Sequence, residues 1–417
     1  MANSSAIAVI TRRAADRLRA GHPWVYRSDV EEIQPATGVG DVAPGELVVV
    51  TDSRGIALGT ALSSTASLIA LRIVTREVLP AREAFLSLLR QRLAKAIALR
   101  RRMGLFDNPA TDACRLVFSE ADELPGLIID RYAGLVILQL LTQGMDSADV
   151  RATLIEALRE ELADAVDIIV ERPDPRIREL EQLAAPQSAP LWERWQGVPL
   201  STIFHLNSLA FHYDAGSGQK TGAFLDQREN YAAAAARAHG EALDVCTYQG
   251  GFALHLAQWC ERVTGVDVSR AALEVAERNL ELNRAQLVNE GRGVEWLEAD
   301  AFALMKDFSD AGRHYDTIVV DPPAFAKTRR AAEGALRGYK ELNLRAFKML
   351  NAGGTLVTCS CSHHISLEDF TGIIASAAID AGRRVRLVET RGTAEDHPAI
   401  LSIPETTYLK CLICEVE

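Results

Sequence analysis

Residues 355–364 read Thr-Leu-Val-Thr-Cys-Ser-Cys-Ser-His-His, which sets two thiols one residue apart with two imidazoles directly behind them. A thiol can serve as a nucleophile, as a metal ligand or as inert core. The β-branched run after Gly353-Gly354 predicts a strand entered from a helix end. Side chains two apart in a strand point the same way, so Cys359 and Cys361 are expected to share a face. A metal reading would recruit Cys411 and Cys414, whose spacing zinc sites can use. Those two lie inside the strand-like stretch 408–416, where positions three apart face opposite sides. A four-thiolate cage is therefore geometrically poor, and no metal is expected. His363 and His364 read either as a proton acceptor or as two polar residues opening a loop.

Further chemistry is spaced along the second half of the chain. In Asp-Val-Cys-Thr-Tyr-Gln-Gly-Gly-Phe, starting at Asp244, the pair Gly250-Gly251 permits a tight turn and close backbone approach before a helix. The dinucleotide spacing G-x-G-x-x-G is absent. Asp267 ends a second strand, where an acid would take a ribose hydroxyl pair, and Asp300 ends a third, placed to meet an adenine amino group. This pattern fits a nicotinamide cofactor, S-adenosylmethionine, or an ordinary strand-to-helix turn with solvated acids. The fourth strand ends in Asp-Pro-Pro-Ala-Phe, residues 321–325, and that decides among them. Two prolines directly after a strand hold a stiff, non-hydrogen-bonded backbone whose carbonyls can face a flat base. Phe325 is placed to stack on such a base and Asp321 to bond its polar edge.

The elements that must position these residues are legible in the apolar periodicity. From about residue 242 strands and helices alternate, including a helix capped by Ser269 with Leu273, Ala276 and Leu280 on one face and another over about 338–350. That order predicts a doubly wound, Rossmann-like α/β sheet, with ligands outside the carboxyl ends of its strands. Short strand-like runs at 45–52, 55–62 and 67–74 predict a small β-barrel-like module ahead of it. A helix over 81–102, strands at 114–122 and 126–141, a helix from about Ser147 and a strand at 167–172 predict an α+β middle. The Pro-rich, aperiodic stretch 184–200 reads as a linker.

Composition narrows the class. At 417 residues the chain has room for two or three domains of about 150 residues each. With 48% hydrophobic and 24% charged residues it has the make-up of a globular protein. No apolar run approaches the roughly 20 residues that span a bilayer, and the first residues lack a secretory pattern. Seven scattered cysteines do not make a disulfide framework, so a reducing cytoplasm is the expected location. The net charge of −11 argues against a nucleic-acid partner until it is divided. Residues 1–102 hold 15 Lys and Arg against 9 Asp and Glu, whereas 103–417 hold 30 against 47. A basic front ending in Arg100-Arg101-Arg102 on an acidic body suits an RNA-reading module attached to an enzyme.

Taken together, DVCTYQGGF, GVDVS, DPPAFAK, RGYKELN and TCSCS resemble the class I methyltransferases that use S-adenosylmethionine. More narrowly the chain resembles the RlmI-type methyltransferases that make 5-methylcytosine in large-subunit ribosomal RNA. HPWVY at 22–26 resembles that family's PUA domain, ELPGLIIDRY at 123–132 its central domain and GQKTGAFLDQREN at 218–230 its entry to the catalytic domain. DHP and YLK near the end resemble its last strands.

The resemblance implies a PUA-like RNA-binding domain at 1–75, a central α+β domain at 76–190 and a methyltransferase domain at 191–417. It implies that Cys361 is the nucleophile, with Asp321 beside it and Cys359 a wall of the site. The cofactor would be held by Gln227, Arg228, Cys246, Thr247, Tyr248, Gly250, Asp267, Asp300 and Asp321, and the base by Pro322, Pro323 and Phe325. Some 5-methylcytosine enzymes carry a second cysteine after the fourth-strand prolines, where this chain has Ala324-Phe325. The carbon 5 proton is therefore left to Asp321, Cys359, His363 or a water. Ribosomal RNA is the implied partner, a homodimer is admitted and no membrane is involved. Two other readings stay open: methylation of an exocyclic base amine, and an RNA-binding assembly factor without turnover.

Overall fold

The computed structural model describes residues 5–36, 40–185, 190–216, 223–326 and 329–417. Residues 218–222 of the GQKTGAFLDQREN stretch, part of the 184–200 stretch and Lys327 lie outside them. The chain packs as two compact units, one of residues 1–203, 213–222 and 396–406 and the other of 204–212, 223–395 and 407–417. No helix among the described residues is long and apolar enough to cross a membrane.

The first unit contains two sheets. One has six strands in the order Trp24–Tyr26, Ile69–Thr75, Ala57–Ser63, Leu47–Asp52, Ala6–Ile10, Val30–Gln34. Alternating residues such as Val48 and Val50 turn inward onto Ala8, Ile10 and Leu71. The other sheet has five strands, Trp192–Glu193, Ile168–Glu171, Leu135–Leu140, Leu127–Tyr132 and Ala113–Phe118. The run 126–141, read from sequence as one strand, folds into two. Ala133 adopts a left-handed φ of 51° there, and a Cβ on Gly134 would meet Asp167 Oδ2 at 2.2 Å.

Two expectations change in this unit. Only part of the run Arg100-Arg101-Arg102 is a solvated basic edge. Arg100 is fully buried, donating to Asp122 Oδ2 at 2.8 Å and to the Asp396 carbonyl at 2.8 Å, and Arg101 pairs with Glu161. A buried guanidinium survives only with such partners, so Arg100 helps to organise the core of the unit, while Arg101 and Arg102 stay exposed. The Asp-His-Pro at 396–398 forms no strand; Asp396 folds into this unit and accepts the Arg115 backbone N–H at 2.8 Å.

The second unit is a seven-stranded sheet whose strands are β1 (Glu241–Val245), β2 (Arg262–Asp267), β3 (Gly293–Glu298), β4 (Tyr315–Val320), β5 (Leu350–Ser360), β6 (Val385–Arg391) and β7 (Lys410–Val416). Their order is β3-β2-β1-β4-β5-β7-β6. Helices α1 (Arg228–Ala235), α2 (Gly251–Leu256), α3 (Arg270–Leu287), α4 (Ala301–Asp310), α5 (Ala332–Met349) and α6 (Leu367–Asp380) accompany it. Ser269 caps α3 by accepting the Ala272 N–H, and Leu273, Ala276 and Leu280 are buried, as their spacing requires. β1 to β5 pair in parallel. β7, in contrast, inserts antiparallel between β5 and β6, which brings Cys411 opposite Cys359 and Lys410 opposite Ser360. The strand order reverses between β1 and β4, the place where sheets of this kind open a crevice for ligands.

Candidate active site

The loop after β1 is held in an uncommon conformation. Cys246 and Tyr248 take left-handed φ values of 65° and 52°, and Gly250 follows at 85°. Non-glycine residues occupy this region at a cost, and such strain collects at functional sites. Gly250 serves its backbone and also the packing beneath, since a Cβ there would lie 2.9 Å from Trp296 Cη2. Gly251 answers a different need: a Cβ would meet the Tyr231 ring at 2.6 Å.

Carboxylates surround this loop. Asp267, at the end of β2, accepts the Tyr248 N–H at 2.9 Å and the Ser269 N–H at 2.8 Å. Asp300, exposed after β3, caps α4 by accepting the Ala303 N–H at 2.9 Å. Asp321, just past β4, accepts from Gln227 Nε2 at 2.9 Å. Gln227 is itself held by Asn230 at 2.7 Å, and Asn230 by Arg391 at 3.0 Å, so a buried polar chain orients the Asp321 carboxylate. Arg228 is buried at the start of α1 beside Glu229. Burial, and then the charges of Asp267, Asp321, Asp244 and Asp300, push the Cys246 thiol up, which keeps it protonated.

Asp244 received no role from the sequence, although it is the acid at the end of β1. Its Oδ2 accepts from Thr247 Oγ1 at 2.6 Å and from the Ala253 N–H at 2.9 Å. Its Oδ1 is buried with no protein partner. Burial raises its pKa to about 7 against those two hydrogen bonds. The signal was available as a third strand-end acid within the stretch already singled out.

On the other side of the crevice the thiols separate. Cys359 is inside β5 and fully buried; β5 ends at Ser360, and Cys361 is half-buried in the loop beyond. The two thiols differ in exposure because strand pairing stops at Ser360. Tyr339 of α5 holds the end of β5: its hydroxyl accepts from Ser360 Oγ at 2.9 Å and is bonded to Ser362 Oγ at 3.0 Å. Ser362 Oγ also accepts the Ala326 N–H at 3.3 Å, joining the thiol loop to the Asp-Pro-Pro loop. Pro322 is buried and Pro323 exposed, while the Phe325 ring packs 4.8 Å from Tyr339 and 5.8 Å from Phe302. Burial, Cys411 and the Asp321 charge push the Cys359 thiol well up. His363 and His364 are exposed. Among the described residues no group of three or more His, Cys, Asp or Glu is arranged to hold a metal.

A strained loop with acids about it lies at the switch point of this strand order, and comparison with known proteins gives the family of the chain. Residues 125–411 match the model of the S-adenosylmethionine-dependent methyltransferases, and residues 8–76 that of a PUA-like domain. The chain belongs to the S-adenosylmethionine-dependent methyltransferases. Within them it belongs with the ribosomal RNA large subunit methyltransferases I. It is 36% identical over 397 residues to that protein of Erwinia tasmaniensis, covering 95% of each chain, and 34% identical to that of Cronobacter sakazakii, covering 98% of each. The fold is also that of SMU.776, crystallised as a complex with SAH, with a TM-score of 0.80 at 17% identity over 98% of this chain and 99% of that one.

The donor of this methyltransferase is S-adenosylmethionine, which supplies an electrophilic methyl group on a sulfonium. The residues present suit it. Asp244 and Asp267 bond this loop at Thr247 and Tyr248, the charges of Asp321 and Asp300 also reach it, and the buried, unpartnered Asp244 Oδ1 is an acceptor for a cationic group.

Proposed function

We propose that this methyltransferase acts on carbon 5 of a cytidine in large-subunit ribosomal RNA, through a covalent adduct to Cys361. The observation that carries the reading is the contrast between the two thiols. Cys361 is partly open at the end of β5 and its loop is tied to the Asp-Pro-Pro loop, while Cys359 is sealed in the sheet. The relatives at about 35% identity are named for large-subunit ribosomal RNA. The PUA-like match at 8–76 supports RNA binding by residues 1–75, ahead of a central domain at 76–190 and a catalytic domain at 191–417.

Carbon 5 of cytosine is too weak a nucleophile unaided. The Cys361 thiolate adds to carbon 6, and the electron pair released makes carbon 5 enamine-like. Carbon 5 then attacks the donated methyl, whose bond to sulfur breaks. Loss of the carbon 5 proton expels the thiolate and restores the ring. Asp321, fixed by Gln227, bonds the polar edge of the base, and Pro322, Pro323 and Phe325 form the surface against which the base lies. Gln227, Arg228, Cys246, Thr247, Tyr248 and Gly250 would hold the donor together with Asp267, an acceptor for ribose hydroxyls, Asp300, an acceptor for the adenine amino group, and Asp321.

Bisulfite sequencing and nucleoside mass analysis of ribosomal RNA, from cells with and without the gene, test the reading. A 5-methylcytidine that disappears with the gene is the expected result. Loss of an N-methylated base instead would replace thiol catalysis with amine methylation, and no lost methyl group would leave an assembly role.

A further inference from the structure

Lys410 is the first residue of β7 and lies opposite Ser360, the last residue of β5. Its side chain is buried, with 7% of the residue exposed. Nζ donates to the Ser362 carbonyl at 2.8 Å and to the Ile365 carbonyl at 2.8 Å, so it grips the loop immediately after Cys361. An ammonium has three N–H donors, and two are used there. No Asp or Glu oxygen among the described residues forms an ion pair with it, although 56 such residues exist in the chain. A buried cation without an anionic partner is expensive, so its neighbours matter.

The charge that reaches it is that of Cys361. Burial lowers the Lys410 pKa from its ordinary value and the Cys361 thiolate raises it. The other titratable groups around the thiol loop are Tyr339 from α5, which also feels Cys361, Asp321 from the β4 loop, Cys359 of β5 and Cys411 of β7, His363 in the loop itself, and Tyr408 ahead of β7 with Asp226, to which its hydroxyl donates. None of them is a cation at neutral pH when the histidine is neutral.

We propose that Lys410 is a positioning residue for the methyl-transfer reaction: its buried ammonium is the counter-charge of the Cys361 thiolate and, through Ser362 and Ile365, the anchor that aims the thiol loop. The assignment rests on the proposed role of Cys361 as nucleophile. A thiolate beside a fixed cation is populated at neutral pH, where an ordinary cysteine is mostly protonated. The same cation steadies the leaving thiolate when the adduct breaks down. Charge and anchoring thus come from one side chain, supplied by a strand that runs against the rest of the sheet.

The test is the pH dependence of Cys361 alkylation by iodoacetamide in the full-length protein, followed by peptide mass spectrometry without RNA or cofactor. In the unaltered protein the Cys361 rate should level off at a pH below that of an ordinary cysteine. In Lys410→Met the midpoint should rise by about 1–3 pH units, as loss of an adjacent opposite charge predicts, and Lys410→Arg should restore most of the difference. A Lys410→Met profile equal to that of the unaltered protein would overturn the proposal. So would an unaltered protein whose Cys361 titrates like a free thiol, a result that needs no variant to fold. S-adenosylmethionine binding reports whether each variant keeps its fold. The alkylation contains no base, so it is independent of the substrate; methyl transfer persisting in Cys361→Ala would overturn the proposed function while the thiolate–ammonium pair was read separately.

Discussion

The two halves of the crevice are built with opposite charge. The half on β1, β2 and β3 gathers Asp244, Asp267 and Asp300, with Asp321 from β4 closing the ring around Cys246. The half on β5 and β7 contains one buried cation, Lys410, beside the loop of Cys361. Burial and the neighbouring acids hold Cys246 protonated, whereas on our proposal Lys410 is the counter-charge of Cys361. On the proposed reading, the acidic half would receive the cationic methyl donor and the lysine half the anionic nucleophile, so opposite fixed charges would sort them before any reaction begins.

The largest effect expected is at the thiol. Cys361→Ala should lower methyl transfer by at least about 10³-fold, the scale on which nucleophile removal acts, while S-adenosylmethionine affinity stays within a few-fold. Rates in single turnover and binding by calorimetry would check the pair of outcomes. Normal turnover in that variant would falsify the division of labour between the two halves.

A second test uses pH on the acidic half. Asp244 has a folded-state pKa of about 7, above the value of about 3.9 for an unfolded carboxyl. Between those values the native state keeps a proton that the unfolded chain has released, so stability is fully present below about pH 4 and falls as pH rises towards 7. The loss amounts to up to about 4 kcal/mol, and Asp244→Asn should flatten it. Denaturant unfolding across this range, without cofactor, measures the slope. Equal slopes in the unaltered protein and in Asp244→Asn would remove Asp244 from the account.

Smaller effects sharpen the picture. Asp267→Ala frees two backbone N–H groups and removes an acid from the ring, and should weaken cofactor binding by about 1–3 kcal/mol with little change in Cys361 alkylation. If alkylation rather than binding changed, the halves would not be separable. The smallest effect is expected for Cys359→Ser, where a hydroxyl replaces a thiol in the sheet at a cost of about 1 kcal/mol in stability. RNA carrying 5-fluorocytidine should still form a covalent adduct with that variant, because fluorine cannot leave as a proton, and should form none with Cys361→Ala. An adduct that follows Cys359 instead would exchange the roles of the two thiols.

Local residue chemistry by itself determined the class of sheet, the cap of α3 by Ser269, the glycine turn after β1, the acids at the ends of β2 and β3, and the Asp-Pro-Pro end of β4. These are short-range features: a cap, a turn and a strand end are each set by residues a few positions apart, so their types and spacing suffice. The preference for Cys361 over Cys359 is a reading from resemblance, and the difference in exposure that supports it depends on where the strand pairing stops. The tertiary structure alone decided the rest. It turned the apparent basic run at Arg100 into a buried ion pair by setting Asp122 beside it. It chose an antiparallel course for β7, which no periodicity records since a buried strand reads alike in both directions. That choice carried Lys410, fifty positions along the chain from Ser360, to the end of β5. Burial and facing charge are properties of what the fold brings together, and this is why the acid Asp244 and the cation Lys410 acquired their chemistry only when the sheet closed around them.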